Sequence, residues 1–73
     1  MTPEHLALLE GNIDQVVEIE TLDGTRFLAR PLFVYTGEDN PDVFFLAVDR
    51  TTGRAVKTGQ SILLEDILAV RRP

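Results

Sequence analysis

Val16-Val17-Glu18-Ile19-Glu20-Thr21-Leu22-Asp23-Gly24-Thr25-Arg26-Phe27 is the stretch that decides the fold. Its first half has a period of two. Val17 and Ile19 fall on one face of an extended strand, and Glu18 and Glu20 fall on the other with Val16. Asp23-Gly24 is a hairpin signal. A type I′ turn is expected there, because Gly and Asp tolerate the positive φ that such a turn needs. Thr25 then opens a second β-type run.

Upstream, Thr2-Pro3-Glu4 reads as a helix start. Thr caps free N–H groups, Pro suits the first helical position, and Glu favours the positive helix end. Leu6, Leu9 and Ile13 recur at helical spacing, with Leu8 beside them. Gly11-Asn12 is the stop, since either residue accepts the left-handed conformation after a helix. The helix is placed in residues 1–12. It is too short to stand alone and must dock.

Downstream, the second run extends from Thr25 to Tyr35. Phe27, Ala29, Phe33 and Tyr35 alternate with Leu28, Arg30, Leu32 and Val34, so neither face is polar. Pro31 has no N–H for a ladder and predicts a bulge or sharp bend. Thr36 to Asp42 is a polar loop and Val43 to Asp49 a third strand. Arg50-Thr51-Thr52-Gly53 is a turn, and Arg54 to Thr58 a short, polar continuation that Gly59 breaks. Ser61 to Leu64 and Ile67 to Arg71 are strands, with a tight bend at Glu65-Asp66. The reading is one all-β domain over residues 1–73: a short helix, then a five-stranded small barrel over residues 15–72.

The chain has 73 residues, no cysteine and one histidine. A disulfide framework, a thiolate metal site and an imidazole cluster are thereby excluded. A domain this small buries only about 60% of its extended surface, which leaves a dense core or self-association to stabilise it. All five aromatics (Phe27, Phe33, Tyr35, Phe44, Phe45) lie in the second and third strands, more apolar surface than one small core needs. No apolar run approaches the roughly 20 residues of a membrane span. Met-Thr-Pro-Glu is not a basic region followed by an apolar one, so no signal peptide, no membrane association and a cytoplasmic location are expected. Charge is uneven. Residues 1–42 hold nine acids and two bases, whereas residues 43–73 hold three acids and five bases. The net charge of −5 disfavours nucleic acid.

The order of elements resembles the Sm and Sm-like family, in which a helix precedes five bent antiparallel strands of an SH3-like barrel. Leu6 to Leu9, Gly11, Val17, Ile19, Leu22-Asp23-Gly24 and Phe27 fit its first half, and Ile62 to Val70 fits its final pair of strands. The departures lie in the RNA-reading positions. The Asp and Asn usual beside the base pocket have no match in Glu38-Asp39-Asn40-Pro41-Asp42, and Leu64-Glu65 stands where Arg-Gly or a basic-polar pair is usual. Ala29 stands near a position where glycine is frequent. The resemblance therefore implies an Sm-like shape without RNA reading, and barrels joined edge to edge through strands four and five.

No catalytic, cofactor or metal constellation is evident. His5 reads as a solvated helix residue, because no second His or Cys completes a site. Ser61, the one serine, has no nucleophile-elbow pattern around it. Glu38 to Asp42 lacks the spacing of a calcium loop, and Gly53 and Gly59 are isolated turn glycines. Two groups are candidates for partner binding. Arg50, Arg54, Lys57, Arg71 and Arg72 form a basic patch if the third hairpin approaches the C-terminus. Phe33 and Tyr35 are candidates for an aromatic groove. The expectation is a non-catalytic, self-associating binding or structural module that acts through protein contacts. The alternative is an RNA-binding Sm-like protein that uses the C-terminal basic residues.

Overall fold

The hairpin at Asp23-Gly24 forms, but by a different turn. In the computed structural model, which describes residues 2–37 and 39–73, Gly24 alone takes positive φ (89°) there. A type I′ turn requires it at both central residues. Instead the Gly24 N–H donates to Thr21 O at 3.0 Å, and the Thr21 N–H donates to Thr25 O at 2.9 Å. This is the three-residue hairpin loop with Gly in the left-handed position. Asp23 tightens it, accepting from the Thr21 hydroxyl and from the Thr25 N–H.

The elements are α1 (Pro3–Gly11), β1 (Val17–Thr21), β2 (Arg26–Tyr35), β3 (Asp42–Val48), β4 (Ala55–Leu63), a 3-10 turn (Leu64–Asp66) and β5 (Ile67–Arg71). The five strands make one antiparallel sheet in the order β4-β3-β2-β1-β5. Among the described residues β4 and β5 do not pair with each other, so the ladder is open at both ends.

Helix α1 begins as the sequence predicts. Thr2 Oγ1 accepts from the His5 N–H at 3.3 Å, and Pro3 opens the first turn. It ends differently. Neither Gly11 nor Asn12 is left-handed; Asn12 stops the helix by donating from Nδ2 to Leu8 O at 2.7 Å and from its N–H to Leu9 O. The left-handed residue is Asp14, at φ 65°. Ile13 consequently leaves the helical stripe and is exposed, contrary to the spacing.

The core lies between this helix and one face of the sheet. Leu9, Val17, Ile19, Ala29, Val43, Phe45, Leu64, Ile67 and Val70 are buried, with Leu6, Leu8 and Phe27 packed against them. The Phe27 and Phe45 rings stack with centroids 5.4 Å apart. Pro31 marks the predicted bulge. It pairs with Phe45, the next pair is Phe33 with Phe44, and Leu32 is the extra residue. Pro31 is tolerated in a central strand because the ladder is interrupted there.

The bulge reverses the phase of β2. Phe27, Ala29 and Pro31 point to the core side, but Phe33 and Tyr35 come out on the opposite face. Simple alternation groups Phe33 and Tyr35 with Phe27, and the extra residue at Leu32 undoes that grouping. The break expected at Gly59 is also absent, since β4 runs through it. The Phe44 ring occupies the space a Gly59 side chain would fill, with its Cζ nearest to where a Cβ would stand.

Candidate functional site

Residues directly opposite each other in an antiparallel ladder share a face. The pairings therefore lay out the side of the sheet that points away from the core. One row runs Arg71–Glu18–Leu28–Val48, beside Glu20–Arg26. Further along come Arg30–Leu46–Gly59, then Phe33–Phe44–Ser61, then Tyr35–Asp42–Leu63. The face thus has a charged end and an aromatic end.

At the charged end, Arg71 places Nη2 2.8 Å from Glu20 Oε1 and Nη1 3.6 Å from Glu18 Oε1. Arg26 lies 3.6 Å from Glu20, and Arg50 reaches Glu18 at 3.0 Å from the turn after β3. Glu20 is buried, only 9% exposed, beneath these side chains. The negative charge that Glu18 and Glu20 bring to this face is therefore neutralised.

Of the predicted basic group, the fold brings Arg50 and Arg71 together, both on Glu18. They are spent on carboxylates. Arg54, Lys57 and Arg72 are exposed and have no carboxylate partner among the described residues. An RNA-binding surface would draw on those three, and the test residue for it is Arg72 rather than Arg71, whose loss disturbs the sheet.

The Arg50 guanidinium hydrogen bond holds the Glu18 carboxyl below its ordinary value of 4.5, aided by the charges of Arg50, Arg26 and Arg71. The Thr21 hydroxyl and Thr25 N–H likewise lower Asp23 from 3.8. Both groups bind protons more readily in the unfolded chain. Their stabilisation is complete at neutral pH and is lost as pH falls below about 4.5 toward the depressed folded values. The melting temperature is expected to be level from pH 7 to about 5 and to drop below about 4.5. A level profile down to about pH 3 would contradict these contacts.

At the aromatic end, Phe33 is 61% exposed, and Tyr35 and Phe44 are each 43% exposed. Tyr35 lies across Gly37 as Phe44 lies across Gly59. Phe33 also borders a shallow cavity of about 220 Å³ with Glu10, Ile13, Leu32 and Val34. The sequence singled out Phe33 and Tyr35. It missed Phe44, which only the cross-strand register places beside them.

Other sequence candidates land as follows. His5 is half-buried rather than solvated, and its Nδ1 is shielded without a partner. Glu38 of the acidic loop lies outside the described residues, as does Met1. Among the described residues no group of three His, Cys, Asp or Glu side chains is placed to hold a metal ion. No helix among them is long and apolar enough to cross a membrane. Protein-family models, curated proteins and solved structures give no match to this chain.

Proposed function

We propose that the chain is a non-catalytic cytoplasmic binding module of Sm-like barrel shape that self-associates through its sheet edges and acts through protein–protein contacts. The observation that carries this is the pair of open edges. Strands β4 and β5 end the sheet, and each carries an exposed apolar residue, Val56 at 43% and Leu68 at 49%. An unpaired strand edge is a template for another strand. The two edges are different segments, so β4 of one copy on β5 of the next is a heterologous contact that repeats and closes into a ring when the rotation allows. The strand order, the leading helix and the 3-10 turn between β4 and β5 support the Sm-like reading of shape.

Light scattering at micromolar concentration tests this. An oligomer is expected, and Leu68→Lys is expected to shift it toward monomer while the circular dichroism spectrum stays the same. A clean monomer of the unmodified chain would remove the proposal.

A further inference from the structure

We propose that the aromatic end of the outer face binds an extended, arginine-containing peptide segment of another protein, with a guanidinium seated between the rings and Asp42. This goes beyond self-association, because it uses the face of β2 and β3 rather than the edges.

The ligand chemistry follows from what surrounds the rings. Asp42 is directly opposite Tyr35 and two residues from Phe44 on the same face. It is half-buried and has no hydrogen-bond or ion-pair partner among the described residues. The other acids on this side of the sheet are engaged: Asp14 pairs with Arg30 at 2.8 Å, and Glu18 and Glu20 pair with arginines. A carboxylate beside exposed aromatic rings attracts a cation twice, by charge and by the negative ring faces. A planar guanidinium satisfies both better than an ammonium, since it stacks and hydrogen-bonds at once. The strip thus has an acid, Asp42, beside apolar aromatic surface. It is complementary to a basic residue next to an apolar one, and its carboxylate repels a phosphate backbone.

Size selects the occupant's form. An aromatic side chain buries roughly 150–250 Å² in full, so three that are about half exposed offer on the order of 300 Å². A stable contact between folded subunits needs about 800 Å² from each. The strip fits a short segment and is too small for a second folded copy.

Tyr35 is the single tyrosine and there is no tryptophan, so intrinsic fluorescence reports this face directly. The probe is the capped peptide Arg-Ala-Leu-Ala-Arg, titrated against the full chain, with its Glu-for-Arg counterpart and a short oligouridine as comparisons. A saturable Tyr35 change below about 1 mM with the arginine peptide alone is expected. Asp42→Asn is expected to weaken it about tenfold with an unchanged melting temperature, and Phe44→Leu to weaken it similarly. No saturation, an equal response to the acidic peptide, or a stronger response to oligouridine would each overturn the proposal. So would a Tyr35 signal that changes with protein concentration alone, since the face would then be covered by another copy. The peptide and oligouridine outcomes, read at one fixed protein concentration, do not depend on the light-scattering result for the edges.

Discussion

Phe45→Ala is expected to cost about 3–5 kcal/mol, whereas Phe33→Ala is expected to cost less than about 1 kcal/mol. The two residues are a cross-strand step apart around the β2 bulge, and their chemistry is identical. Phe45 is 3% exposed and stacks on Phe27 inside the core; Phe33 is on the other face. Removing Phe45 loses the transfer free energy of the ring and leaves a cavity that rigid strands fill poorly. A domain of this size holds roughly 5–10 kcal/mol in total, so Phe45→Ala removes about a third of its stability or more. Urea denaturation of both variants checks this through the midpoints at unchanged slope. Equal costs for the two would mean that Phe33 is inside and the bulge is misplaced.

That contrast marks where sequence reading stops. The bulge was legible, because a proline inside an apolar run cannot continue a central ladder. Which residue is supernumerary was not, because Leu32 is as apolar as its neighbours and the choice is made by pairing with β3. One slipped residue moves every later side chain to the other face. The aromatic strip therefore appears only once the register is known. The same holds for Gly59. Glycine weakens a strand in isolation, but Phe44, fifteen positions earlier, covers it from the neighbouring strand. By contrast, the Thr2 cap and the Asp23-Gly24 hairpin depend on contacts within four residues, and both were readable.

The basic residues show the same division between local and distant causes. Counting bases in residues 43–73 suggested a patch. The strand order puts β5 beside β1, and that neighbourhood turns Arg71 from a surface charge into the partner of Glu18 and Glu20, 51 positions from the latter. Alternation placed the two glutamates outward correctly. It had no means of supplying their partners, since ladder order between the chain's ends is a long-range property.

Arg71→Leu is expected to destabilise the fold by about 2 kcal/mol, and the double variant Glu20→Leu/Arg71→Leu to return to within about 1 kcal/mol of the unmodified chain. Breaking one side of a buried ion pair costs about 3–5 kcal/mol because a charge is left without compensation. The figure is smaller here for two reasons. The Arg71 side chain is 46% exposed, and Arg26 remains 3.6 Å from the Glu20 carboxylate. Replacing both partners removes the desolvated charge itself and adds apolar surface against the sheet. Arg50→Ala, which breaks the more exposed pair with Glu18, is expected to cost less than about 1 kcal/mol. A double-mutant cycle on Glu20 and Arg71 by urea unfolding, at one fixed protein concentration, measures the coupling. High salt discriminates further: it should erase most of the Arg50 effect and little of the Arg71 effect, because the Glu20 carboxylate is shielded from mobile ions. Additive costs in the cycle would mean that Arg71 does not compensate Glu20, and Arg71 would then return to the set of bases free to meet a partner.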